Sequence, residues 1–136
     1  MEEEAVHEQI EADLSRNRTS LQYLDRRADD FTDRAFHLRQ LANEIGVELF
    51  PLRTAFDQIR RLHTRNTWQG QAATISRQRL DTHEERHNTA LRHLDQLIDD
   101  LEREASISQQ QATDIHAQMS SVRWAISQLE QELAAV

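Results

Sequence analysis

Apolar residues recur along this chain at alternating spacings of three and four. In the first half they fall at Leu21, Leu24, Ala28, Phe31, Ala35, Leu38, Ala42, Ile45, Leu49, Leu52, Phe56 and Ile59. The register extends back through Leu14 and Ile10. An α-helix presents positions spaced this way on one side, and a sustained 3-4 repeat is the signature of coiled-coil-like packing. In the second half the repeat reads Ala73, Leu80, His87, Leu91, Leu94, Ile98, Leu101, Ala105, Ser108, Ala112, Ile115, Met119, Val122, Ile126, Leu129 and Leu133. Arg77 and Glu84 are its polar exceptions.

Between the two halves lies Thr67-Trp68-Gln69-Gly70-Gln71-Ala72-Ala73. Asn66 and Thr67 can leave a helix through side-chain hydrogen bonds, and Gly70 can take positive φ. The pattern therefore predicts an all-α fold, a long antiparallel helical hairpin with Trp68 and Gly70 at its turn. Its first arm covers residues 20–65, the turn 66–70 and the second arm 71–135. Residues 1–19 form an acidic N-terminal extension, either a frayed helix or a solvated tail. Thr19 followed by Gln22 reads as a capping box that starts the main helix near residue 20. Each arm would reach about 70–95 Å at 1.5 Å per residue. A fold about residue 69 would set Leu21 level with Ala117 and Ile59 level with Arg79. Gly46 and Pro51 predict a kink near 46–51, since proline lacks a donor and crowds the preceding turn.

The seam residues of this hairpin include Leu24, Phe31, Leu38, Ile45, Leu52 and Phe56 on one arm. Leu94, Ile98, Leu101, Ile115 and Val122 face them from the other. A second partial stripe lies at the g positions: Leu41, Ala55, Leu62, Ala90, Leu97 and Ala125. Phe36 and Phe50 sit at b and Trp124 at f. Two helices bury only a and d, so the wider stripe predicts a partner and a four-helix bundle.

Composition agrees with a narrow seam. The chain has 136 residues, 38% hydrophobic and 5% aromatic, with only two Gly and one Pro. So few turn-formers disfavour a sheet protein. The net charge of −8 argues against a general nucleic-acid binder. All 16 basic residues are Arg, which suggests a GC-rich genome as the source. Arg53, Arg60, Arg61, Arg65, Arg77, Arg79, Arg86 and Arg92 gather toward the turn, whereas Glu2–Glu4 and Asp99, Asp100, Glu102 and Glu104 lie away from it. This is a solvated surface or a docking surface for an acidic partner. There is no Cys, so no disulfide framework or thiolate metal site is expected. No apolar run approaches 18 residues and no general secretory signal opens the chain, so no membrane insertion is expected.

Trp68-Gln69-Gly70 at the turn of a heptad hairpin resembles the WXG, early-secreted-antigen-like proteins of type VII secretion systems. Gln71-Ala72-Ala73 follows where that family often has small residues. The resemblance implies a non-enzymatic protein exported by an ATPase-driven, actinobacterial-type machine. It would be cytoplasmic before export, then secreted or at the cell surface. Its partners would be itself or a related WXG-type chain, plus the secretion ATPase. Trp68 and Gly70 would contribute to a recognition surface. The arms are longer than is usual in the family. The family's Tyr-x-x-x-Asp/Glu signal after the second helix is absent, for the only Tyr is Tyr23. Either a partner supplies that tail signal, or the chain is a helical domain of a longer effector system. A structural coiled-coil adaptor unrelated to secretion is the alternative.

His83-Glu84-Glu85-Arg86-His87 also matches the H-E-x-x-H signature of zinc peptidases, with His93 at the spacing of a third ligand. Ala90 replaces the turn-making Gly that the third ligand needs. On a continuous helix His93 points about 240° away from His87. The expectation is therefore no catalytic residue, no metal and no cofactor, with the peptidase as a remote alternative.

Overall fold

The computed structural model describes residues 2–65 and 70–136, except for the side chains of residues 62–65, 72 and 73. It consists of two helices, α1 (Glu2–Arg65) and α2 (Gln71–Ala135), packed against each other. Among the described residues there is no strand, and no helix is long and apolar enough to cross a membrane.

Helix α1 begins much earlier than the capping box at Thr19 suggests. Glu2, Glu3 and Glu4 occupy its first turn, where carboxylates face the positive end of the helix dipole. The Thr19 hydroxyl donates back to the Ser15 carbonyl at 3.0 Å, as a mid-helix threonine does. The capping signal fails because Ile10 and Leu14 are buried at 6% and 3% exposure, which carries the helix through residues 1–19. Helix α1 also continues through Gly46 and Pro51. The residue four before Pro51 is Val47, 64% exposed, so water can serve the carbonyl that the proline leaves without a donor.

The chain divides into two packed units. The terminal unit joins Met1–Phe36 to Ala105–Val136. Its core is built from small side chains: Ala28, Ala35, Ala105 and Ala112 are fully buried, and Ser108 is 2% exposed. Ile115 and Met119 close around Ala28, with Leu21, Leu24 and Phe31 packed against them. Alanine at the seam leaves room for a large residue of the facing helix, the knob-into-hole fit that a heptad repeat provides. Leu129, Ile126 and Val122 are half-buried.

The turn-side unit is His37–Glu104. Ala42 and Leu49 are buried in it, and Leu38, Ile45, Leu91, Leu94, Ile98 and Leu101 are half-buried. Gly46 faces Ile98, whose Cδ1 lies 4.0 Å from where a Cβ would stand. The level of pairing differs from a fold about residue 69. That fold would set Phe56 opposite position 82, yet Phe56 stacks on His87, five residues further along. The register is set by which knobs fit which holes, and not by equal counts of residues on either side of the turn.

Candidate functional site

In the turn-side unit the two flanks of the helix pair differ in chemistry. One flank carries the e positions. There Arg53 pairs with Asp95, and Arg60 pairs with Glu84. The terminal unit has its own e-flank pair, Arg18 to Glu130 at 3.2 Å. These groups are about half exposed, so each bridge adds little to stability. Their value lies in register and in satisfying that flank locally.

The opposite flank of the turn-side unit carries a run of apolar side chains. Leu41 is 46% and Leu97 44% exposed, with Ala55 and Ala90 exposed beside them. Leu52 and Ile59, read from sequence as seam residues, are also exposed, at 54% and 46%, and their d positions lie next to the g positions of this flank. The reason lies across the seam. At the level of Ile59, helix α2 offers His87 and Glu84 instead of apolar knobs, so Ile59 has little to bury against there. Leu62 belongs to the same stripe, but its side chain lies outside the described residues. Ala125, in the terminal unit, is half-buried. Phe36, Phe50 and Trp124 are exposed at 63%, 71% and 67%.

Of the turn residues, Trp68 lies outside the described residues. Gly70 has φ of 103°, a conformation that L side chains rarely adopt, and its carbonyl accepts from the Thr74 N–H at 3.1 Å to open α2. The other seam residues read from the sequence are placed as follows. Leu24, Phe31 and Val122 are half-buried and Ile115 is buried in the terminal unit. Leu38, Ile45, Phe56, Leu94, Ile98 and Leu101 are half-buried in the turn-side unit.

The H-E-x-x-H segment lies within α2 without a break. Glu84 is engaged by Arg60, and His87 is stacked on Phe56 with ring centroids 4.4 Å apart and planes 14° from parallel. His83 and His93 are exposed. Glu84 and His87 thus both make contacts across to α1. Among the described residues no three His, Asp or Glu side chains group to hold a metal ion.

His87 carries a cost that sequence reading missed. Its Nε2 is buried and meets no hydrogen-bond partner. A buried polar atom left so costs about 1–3 kcal/mol, while an aromatic stack returns about 0.5–1.5 kcal/mol. His87→Leu is therefore expected to stabilise the chain by about 1 kcal/mol, raising the denaturant midpoint in a far-UV circular dichroism titration. An unchanged or lower midpoint would show that the Phe56 stack outweighs the stranded nitrogen. The ionic e flank was legible, since Arg39, Arg53 and Arg60 recur at e on one helix and Asp81, Asp95 and Glu102 at e on the other.

No family model, no curated protein and no solved structure matches this chain.

Proposed function

We propose that this chain is a non-enzymatic helical hairpin of the WXG type, a secreted substrate or co-secretion partner of a type VII secretion system. It acts through protein–protein packing, joining itself or a related hairpin in a four-helix bundle. The observation that carries the proposal is the position of the motif. Helix α1 ends at Arg65 and α2 begins at Gln71, and the sequence between them contains Trp68-Gln69-Gly70. The apolar flank formed by Leu41, Leu52, Ala55, Ile59, Ala90 and Leu97 supports a bundle partner, because burying it removes apolar area from water.

The test is export. In a host with an active type VII system, the wild-type chain is expected in the culture medium, alone or with its partner. Trp68→Ala is expected to be retained in cells, with more than a tenfold drop in the exported fraction and unchanged helix content. Export of both chains in equal amount, or retention of both, would leave the adaptor reading in its place, since an adaptor has no use for the turn indole beyond stability.

A further inference from the structure

Helix α2 carries a face in the terminal unit that differs from the rest of this highly charged surface. Trp124 stands on it, 67% exposed. Around it lie Ser106, Gln110, Thr113, Ala117, Ser120 and Gln131, all exposed. Helix geometry puts these six within about 40° of Trp124 at ~100° per residue. Between 106 and 131 the only Asp, Glu or Arg residues are Asp114, Arg123 and Glu130. They project about 80°, 100° and 120° away from the Trp124 direction. The face is therefore free of formal charge for about 39 Å of helix. The α1 surface of the same unit is different, with Arg26, Asp29, Asp30 and Asp33 exposed within eight residues.

Three hydroxyls on or beside this face are already satisfied. Thr113 Oγ1 donates to the Gln109 carbonyl at 3.1 Å, Ser120 Oγ to His116 at 3.2 Å and Ser121 Oγ to Ala117 at 3.4 Å. Covering these three strands no donor, which lowers the penalty for drying this surface. An exposed tryptophan on an uncharged surface shares two features with interface cores, where charges are depleted and Trp is enriched.

We infer that this face is a contact between two copies of the chain, α2 against α2, with Trp124 as its anchor. Charge selects the occupant. Each copy carries −8, so two copies repel wherever acidic surfaces meet. A face without formal charge lets them approach without that repulsion, and a two-fold arrangement sets the same neutral surface against itself. A basic partner would gain nothing from this face and would be drawn to the acidic ones. A strip ~39 Å long and ~10 Å wide offers about 400 Å² per copy, half of what a standard stable interface buries. The contact is accordingly weak, forming at high micromolar concentration, and it is separate from the apolar flank of the turn-side unit.

The test uses the full chain carrying Trp68→Phe, which leaves Trp124 as the sole tryptophan reporter. From 1 μM to 1 mM its emission is expected to shift to the blue, and the mass from sedimentation equilibrium to rise. A second chain adds Ala117→Glu and Ser120→Glu, both at exposed helix positions. It is expected to keep its circular dichroism spectrum, lose the Trp124 shift and show at least a tenfold weaker association. Leu97→Glu, on the other flank, is expected to leave the Trp124 shift in place. An emission maximum that does not move with concentration, or one that moves equally in the double-Glu chain, overturns the inference.

Discussion

Replacing Ala112 with aspartate is expected to unfold the helix pair. Ala112 is fully buried in the terminal unit, in a seam that it shares with Ala105 and Ser108. A carboxylate there enters a fully buried seam filled to the size of a methyl group. Removing an unpaired charge from water costs several kcal/mol, and enlarging a filled site costs about 1–3 kcal/mol more. A two-helix protein has only a thin core to set against such a loss. Circular dichroism at 222 nm should therefore fall well below wild type at 25 °C, or the melting transition should drop by more than 10 °C. Ala117→Glu supplies the control. It lies five residues along the same helix but is exposed, and its melting curve should overlay that of wild type. Equal behaviour of the two variants would contradict the assignment of the seam.

Met119→Ala is expected to be the most costly truncation. Among the described residues Met119 is the largest fully buried side chain, at 1% exposure, and it packs with Ile115 against Ala28. Removing it takes away the transfer energy of the side chain and leaves a hole that the facing alanine cannot fill. Comparable truncations cost about 2–5 kcal/mol. Trp124→Ala removes a larger side chain, yet should change the stability of the dilute chain by no more than about 0.5 kcal/mol, because Trp124 is 67% exposed. Denaturant titrations of the two variants decide the matter, with a large shift in midpoint for the first and almost none for the second. The reverse order would mean that Trp124 is buried in solution.

The helix pair could be read from the sequence because the heptad repeat is long and in phase. Ala28, Ala35, Ala42, Ala105, Ser108 and Ala112 are small and individually weak signals, yet all are buried. Their positions in the repeat, and not their hydrophobicity, identified them. The start of α1 was misread because Thr19 and Gln22 fit a cap locally, while Ile10 and Leu14 carry the longer-range pattern. A local capping motif stabilises by about 1 kcal/mol and yields to the burial of two large side chains. The exposure of Leu52 and Ile59 was not legible from α1 alone. It depends on what α2 presents at that level, and pairing level is a tertiary property that depends on how the knobs of both helices fit. The functional reading rests on Trp68, Gly70 and one apolar flank, and the chemistry of such a flank shows only that it is a surface to be covered. The H-E-x-x-H match was legible as five letters, but what its side chains touch was not. Arg60 and Phe56 draw Glu84 and His87 into the helix pair.

The central claim is that residues far apart in sequence lie side by side because α2 returns along α1. It can be tested with spin labels on cysteines placed at Arg18 and Glu130, since the chain has no cysteine of its own. The two positions are 112 residues apart in sequence, and their side chains form an ion pair at 3.2 Å. With helix axes about 8–10 Å apart, the label separation by pulsed electron resonance should be roughly 20 Å or less. It should stay there when labelled chain is diluted into excess unlabelled chain. An unbroken helix over the same span would separate the labels by about 170 Å. No short distance, or one that disappears on dilution, would contradict the account.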